Sequence, residues 1–380
     1  MKKPILFAAL PLLLALTMLS GCVFRLPYTA SSREYTKVEH TGEVPEEFKR
    51  IVEENLFYDV KISKGRILKV EVTDLNKAEH TYKIKVSMLD KYAKTLSSYE
   101  YESDDAYYVR TMTVTEDGGF IFVDGFTDYA YDKDTWASDG GYASRVIKCD
   151  GNGNVVFDTR LEQVSASALR FCYEENGRYY LFGSLEAPET KQRGVYSYTD
   201  VYAVILDKNG EILKTRRIAG SDFDDLDFAE PTEDGFLLSV KSQSDDGDFE
   251  GSGSGGYYVD WTIKIDCELQ TTEMKKQKGR DYFDVVIGET DGKTIHRYDP
   301  IIEEICEYDD VNSPTSVIDY GDFYLLVYEN TTGEYENTPV YISSLWCYTE
   351  TVYSAYDKSG KLLWRTSVDS TPDYEQIIKN

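Results

Sequence analysis

Hydrophobic and polar positions follow three regimes along the chain. Behind Met1-Lys2-Lys3, an apolar run extends from Ile5 to Leu16 and closes on Leu19-Ser20-Gly21-Cys22. A bilayer-spanning helix needs about 20 apolar residues, so this run has the dimensions of an export signal rather than a span. Residues 23 to 43 are polar and aperiodic, which suits a spacer. Pro45-Glu46-Glu47 then opens a short amphipathic stretch with Phe48, Ile51 and Val52 on one side. It predicts a single helix, with proline in the first turn and acids at the positive end. From there on, the pattern is short β-type runs separated by turn residues.

The β region repeats. One unit is an apolar run, an Asp, two or three turn residues and a second apolar run. It occurs around Asp150-Gly151-Asn152-Gly153, Asp207-Lys208-Asn209-Gly210 and Asp357-Lys358-Ser359-Gly360, with degenerate copies at Asp90 and Asp266. Each copy predicts a hairpin whose Asp caps the turn and whose Gly supplies positive φ. A second unit precedes these, as in Asp117-Gly118-Gly119-Phe120, Asn176-Gly177-Arg178-Tyr179, Asp234-Gly235-Phe236 and Tyr320-Gly321-Asp322-Phe323. A further candidate hairpin runs from Val285 through Asp291-Gly292 to Ile295. Four short strands per repeat is the anatomy of a β-propeller blade. The expected fold is therefore all-β: a propeller of six four-stranded blades, seven being the alternative count, after a short N-terminal helix. An elongated solenoid or two stacked sandwiches would explain the returning motif less directly.

Two resemblances follow from these residues. Leu19-Ser20-Gly21-Cys22 at the end of the apolar run looks like the lipobox of bacterial lipoproteins. That resemblance implies cleavage before Cys22 and acylation of Cys22, giving a signal peptide over 1–21, a lipidated tether over 22–43 and one propeller domain over 44–380. The repeats resemble those of bacterial exported propeller proteins, with a "sDGGfivaG" strand, an acidic loop and a "wvvKLDsnGnviW" hairpin. Thr232 to Ser239, Ser244 to Gly251 and Tyr257 to Asp266 follow that order, as do Asp117 to Gly125 with Tyr142 to Phe157. The family implies fold and export, not a reaction, and its members look like binding or scaffold modules.

Charge and composition narrow the partners. The formal net charge is −27, which disfavours polyanions such as nucleic acid. Aromatic residues make up 14% of the chain and Tyr alone occupies 32 positions, enough for a large core and for exposed aromatic plates. Of the six cysteines, those after Cys22 are Cys149, Cys172, Cys267, Cys306 and Cys347. Their wide spacing reads as small core residues rather than a disulfide framework or a zinc ribbon.

Antiparallel order within each blade puts the long second connections on one face with the blade-to-blade links. The aromatic residues there, Tyr129, Tyr131, Trp136, Tyr196, Tyr198, Trp346 and Tyr348, can offer flat apolar surfaces to sugar rings or to a protein partner. Tyr257 and Tyr258 can offer the same surfaces, but packing between blades is the plainer reading for them. Asp246, Asp248 and Glu250 alternate ahead of Gly251 as in calcium loops, but Tyr257 stands where the twelfth-position Glu belongs, so a solvated acidic turn is the plainer reading and no cofactor is expected beyond a weak Ca²⁺ site. His40, His80 and His296 have no metal-ligand spacing, and no nucleophile elbow or phosphate loop is present. The sequence thus points to a membrane-anchored extracytoplasmic module that binds carbohydrate or protein through its long-loop face. A carbohydrate-active propeller enzyme and a purely structural envelope protein are the alternatives.

Overall fold

The computed structural model describes residues 38–57, 60–76, 81–103, 109–127, 142–162, 169–186, 198–251, 253–254, 257–277, 286–290, 293–296, 314–333, 336–337, 342–343 and 347–370. The signal segment, Cys22 and most of the tether lie outside them. Among the described residues no helix is long and apolar enough to cross a membrane. The chain divides into two units, 38–330 with 351–370, and the remainder. Within the smaller unit a short hairpin pairs Glu336–Asn337 with Ile342–Ser343.

Among the described residues the larger unit is all-β apart from one helix, α1 (Glu46–Glu53), and a single turn of 3-10 helix. Four four-stranded antiparallel meanders follow one another in sequence. The first sheet is β1 (Val60–Ser63), β2 (Arg66–Asn76), β3 (Thr81–Leu89) and β4 (Thr95–Ser103). The second is β5 (Val109–Val114), β6 (Phe120–Thr127), β7 (Tyr142–Cys149) and β8 (Val155–Glu162). The third is β9 (Leu169–Glu175), β10 (Arg178–Glu186), β11 (Thr199–Leu206) and β12 (Ile212–Ile218). The fourth is β13 (Asp224–Thr232), β14 (Gly235–Ser242), β15 (Val259–Asp266) and β16 (Thr271–Lys276). The last sheet contains β17 (Val286–Thr290), β18 (Lys293–His296), β19 (Ser316–Asp319), β20 (Phe323–Gly333), β23 (Cys347–Asp357) and β24 (Leu362–Asp369), in the order β18-β17-β19-β20-β23-β24. The hairpin expected around Asp291-Gly292 forms as β17 and β18. Instead of heading a sheet of its own, it joins β19 in parallel.

Alternation along the central strands explains the stacking. In β6, Phe120 and Phe122 face the first sheet, whereas Ile121 and Val123 face the third. In β10, Tyr179 and Leu181 face the second sheet, and Tyr180 and Phe182 face the fourth. Successive side chains of a strand point to opposite faces, so these continuous apolar runs mark sheets covered on both sides. Burying each such side chain stabilises the fold by roughly 1.5–3 kcal/mol.

α1 closes the stack against the first and last sheets. Its buried Phe48 meets Tyr320 and Phe323 edge-on, at 5.0 and 5.6 Å between ring centroids. Pro45 stands at the N-cap rather than within the first turn. Just before it, Thr41 pairs with Arg365 of β24 through reciprocal backbone hydrogen bonds of 3.0 and 2.8 Å.

The recurring Asp does one job five times. One carboxylate oxygen of Asp90, Asp150, Asp207, Asp266 and Asp357 accepts the backbone N–H groups two and four residues on, all at 2.7–3.0 Å. Three residues after each Asp the backbone is left-handed, at Gly153, Gly210 and Gly360 and also at Ala93 and Leu269. The degenerate copies thus keep the turn and accept the strain that glycine removes. These turns also pack on the preceding sheet. A Cβ on Gly153 would lie 2.3 Å from the Ser98 carbonyl oxygen, and Thr159 of β8 donates to the Gly210 carbonyl at 2.7 Å.

Lys148 accounts for the D-G-G-F to K-x-D spacing. It is 1% exposed, yet its ammonium donates to both carboxylate oxygens of Asp117 at 2.9 Å and to the Cys149 carbonyl at 2.7 Å, which uses all three of its protons. A Cβ on Gly119 would fall 2.6 Å from that ammonium, so the second glycine makes room for the charge. Cys149 and Cys172 are buried free thiols pushed up to about 12 by burial, and Cys267 is a half-buried free thiol.

Two predictions follow from these turns. Gly153→Ala should destabilise the protein by about 2 kcal/mol or more, whereas Gly177→Ala, with equally positive φ but open space around it, should cost only about 1 kcal/mol; urea midpoints compare the two. The second concerns acid. Hydrogen bonds from Asn154, from the Glu211 N–H and from Ser359 hold Asp150, Asp207 and Asp357 below the ordinary carboxylate range. At Asp117 burial pushes upward, but donors from Thr115, Lys148 and Gly119 outweigh it and leave that carboxyl low as well. Groups depressed on folding contribute stability above their unfolded pKa, near 4, and lose it as pH falls through the folded value. Thermal stability should drop as pH falls below about 4, and less steeply in the Asp150→Asn, Asp207→Asn, Asp357→Asn triple variant.

Candidate functional site

The expected long-connection face is best described at the fourth sheet. There the link 219–223 from the third sheet meets the connection 243–258 between β14 and β15, and the sequence between them is polar and acidic. Asp224, fully buried at the start of β13, is the hub. Its carboxylate accepts the Gly220 N–H at 2.6 Å, the Ser242 hydroxyl at 2.6 Å and the Ser244 hydroxyl at 3.2 Å. Burying a charge is tolerable only with such a set of donors. Ser244 in turn accepts the Asp222 N–H at 2.9 Å, so one buried carboxylate fixes both segments.

The acidic loop completes the join. Asp246 accepts the Ser221 N–H at 2.7 Å and Asp248 accepts the Ala219 N–H at 2.9 Å, while the Asp248 N–H returns a bond to the Ala219 carbonyl at 3.0 Å. Gly247, at φ +62°, approaches that carbonyl so closely that a Cβ would stand 2.4 Å from it. Gly247–Phe249 forms the turn of 3-10 helix, and Phe249 plugs into the core 5.8 Å from the Trp261 ring. Beyond it, Asp245 accepts the Ser254 N–H at 2.8 Å, the Ser254 hydroxyl donates to the Gln243 carbonyl at 2.6 Å, and the Tyr257 N–H donates to the Ser254 carbonyl at 2.9 Å. The calcium-like spacing of Asp246 and Asp248 is therefore occupied with backbone capping, and Glu250 is exposed beside them. Among the described residues no three His, Cys, Asp or Glu side chains are arranged to hold a metal ion.

This frame ends in two exposed aromatic residues. Tyr257 is 80% exposed and Tyr258 54% exposed, which overturns the expectation that they pack between sheets. The pair sits where β15 has not yet entered the stack. Tyr198, just ahead of β11, lies half-buried and edge-on against Phe223 of the link, at 4.6 Å between centroids. Tyr198 thus packs on the same link, 219–223, that Asp246 and Asp248 cap, and the Phe223 carbonyl accepts the Gln243 N–H at 2.8 Å. Tyr129, Tyr131, Trp136, Tyr196 and Trp346 lie outside the described residues, as does the side chain of Tyr348. In sequence Asp224 reads as one of four link acids, with Asp222, Asp225 and Asp227, on the long-connection face; the signal that marks it as the buried hub is the Ser242-x-Ser244 pair that caps it.

Chemistry of a different kind lies inside, where the first strands of three sheets converge. The Lys61 ammonium of β1 donates to the Thr111 hydroxyl of β5 at 3.3 Å, and burial pushes its pKa down. The neighbouring Cys172 thiol of β9 is itself pushed up to about 12. Burial thus disfavours the charged form of this amine, which lies beside a hydroxyl and a thiol held in its protonated form. Asp200, a buried acid of the third sheet, accepts a hydrogen bond from Arg217 at 3.0 Å and is thereby a paired structural charge.

No known family model matches the chain, and no characterised protein matches it in sequence. Solved structures with weak overall similarity include the Synechocystis apocarotenoid oxygenase in cobalt-substituted form, 8% identical with a TM-score of 0.35 over 80% of this chain and 58% of that one. An acylaminoacyl peptidase from Pyrococcus horikoshii is 10% identical, with a TM-score of 0.37 over 84% of this chain and 53% of that one. An α-L-arabinofuranosidase from Lactobacillus brevis is 10% identical, with a TM-score of 0.35 over 77% and 89%. This chain thus spans little more than half the length of the oxygenase and the peptidase.

Because Asp246 and Asp248 cap backbone groups, Asp246→Ala and Asp248→Ala should each lower stability by about 1 kcal/mol in chelator. Thermal unfolding in chelator, in calcium and in a monovalent salt of matched ionic strength checks this; a loss that appears only with calcium would assign the carboxylates to the ion.

Proposed function

We propose that the protein is an extracytoplasmic lipoprotein, held to a membrane by acyl chains on Cys22, that binds a carbohydrate or protein ligand through the long-connection face of a β-propeller. The stacked four-stranded meanders support the blade reading, with six blades on the sequence count. The observation that carries the binding role is the exposed pair Tyr257 and Tyr258, set on a ledge whose backbone is fixed by Asp224, Asp246 and Asp248. Aromatic side chains on a rigid frame offer contact area at little entropic cost and are the usual anchors of recognition. The excess of acid beside them disfavours nucleic acid and polyanionic ligands. The ledge needs no cofactor for this role, and calcium, where it binds at all, belongs to the loop Asp246–Glu250.

One experiment separates the two halves of the reading. Cys22→Ala should move the protein from the membrane fraction to the soluble fraction with the fold unchanged, and mass spectrometry of the wild type should find acyl chains on Cys22. Tyr257→Ala with Tyr258→Ala should leave membrane attachment and melting temperature unchanged. The same double variant should abolish any ligand-induced stabilisation that the wild type shows in a thermal-shift screen of oligosaccharides and peptides. A wild type that no compound stabilises would favour the structural-spacer reading.

A further inference from the structure

The chain contains three Asn-Gly dipeptides, Asn152-Gly153, Asn176-Gly177 and Asn209-Gly210. All three occupy tight turns between strands, and in sequence they look equally open to loss of the side-chain amide. In that reaction the Gly backbone nitrogen attacks the Asn side-chain carbonyl carbon. The bond to the side-chain nitrogen breaks, ammonia leaves with the proton from the attacking N–H, and water opens the resulting cyclic imide to aspartate or isoaspartate. The rate depends on a free attacking N–H and on a turn that can open to bring nitrogen and carbonyl together.

Two of the three turns deny both conditions. The Gly153 N–H donates to the Asp150 carbonyl and the Gly210 N–H to the Asp207 carbonyl, each at 3.0 Å. The same Asp side chains clamp the backbone on either side, and Asp207 also accepts the Asn209 amide at 3.0 Å. Neither glycine has room to move. A Cβ at Gly153 would sit 2.3 Å from the Ser98 carbonyl oxygen and one at Gly210 would sit 2.5 Å from the Phe157 ring. Opening either turn therefore means unpacking it from the neighbouring sheet.

The third turn is built differently. Asn176 and Gly177 are both left-handed, at φ +52° and +69°, and form a two-residue connection between Glu175 and Arg178. Among the described residues the Gly177 N–H has no acceptor, and nothing lies within 4 Å of where its Cβ would be. Both residues are exposed, and the Asn176 amide has a single exposed contact, to Glu175 at 3.0 Å. We infer that Asn176 is the site at which this protein is modified by spontaneous loss of the side-chain amide, with Asn152 and Asn209 protected by their Asp-capped, packed turns. The modification adds a negative charge next to Glu175, at the end of the β9–β10 hairpin.

The test is peptide mapping by mass spectrometry after incubating the folded protein in mildly alkaline buffer, with a parallel sample in concentrated urea. In the folded sample, position 176 should convert at least about tenfold faster than 152 or 209, because local opening governs access to reactions of this kind. In urea the three rates should come within a few-fold of each other. Asn176→Gly, which keeps a residue tolerant of the left-handed turn, should remove the early acidic species seen on isoelectric focusing while leaving the melting temperature unchanged. Folded-state conversion at 152 or 209 as fast as at 176, or an Asn176 that stays intact when folded while it reacts in urea, would overturn the assignment.

Discussion

The second and third sheets of the larger unit depend on their neighbours because their central strands are apolar on both faces. β6 sends Phe120 and Phe122 one way and Ile121 and Val123 the other, and all four are fully buried. A four-stranded meander with two apolar faces cannot be stable alone in water; it requires a sheet on each side. Stability is then a sum of interface terms between successive repeats rather than the property of one central core. Among the described residues the core accordingly falls into separate clusters: four are shared by two sheets or by α1 and the sheets it closes, and a fifth lies on the last sheet.

The turns follow from the same constraint. A sheet clamped on both faces leaves little space at its ends, so the tight hairpin with an Asp cap is repeated wherever a turn must lie against the sheet before it. Gly153 touches Ser98, and Gly210 touches Phe157. At Leu269 the side chain joins the core between the third and fourth sheets, and that burial offsets the cost of its left-handed backbone. Lys148 extends the same economy of space to charge: no solvent reaches its ammonium, so Asp117 and the Cys149 carbonyl must take all three protons.

These local rules are why the repeats were legible in the sequence. The Asp-x-x-Gly hairpins and α1 rest on interactions a few residues apart, and Asp117 of the D-G-G-F strand meets Lys148 within the same sheet; the structure forms each of them near its expected place. The pairing of β17 with β19 was not legible, because a parallel contact across the interval between Gly288 and Val317 leaves no local pattern. Nor was the role of the acidic loop. Asp246-Gly247-Asp248 has the spacing of a cation loop, but its carboxylates answer N–H groups of Ser221 and Ala219, some 25 to 29 positions earlier.

Tyr257 and Tyr258 show where sequence reasoning reaches its limit at the candidate site. A tyrosine pair at the mouth of a strand can pack under a neighbouring connection or stand free of it, and composition is the same in either case. What decides the outcome here is the preceding loop. Phe249 takes the buried place over Trp261, and Asp246 and Asp248 tie the loop back to the link 219–223. With that position filled, the tyrosines have no apolar surface left to cover and remain exposed. The acids that looked like ligands are therefore the scaffold, and the tyrosines that looked like scaffold stand exposed at the surface.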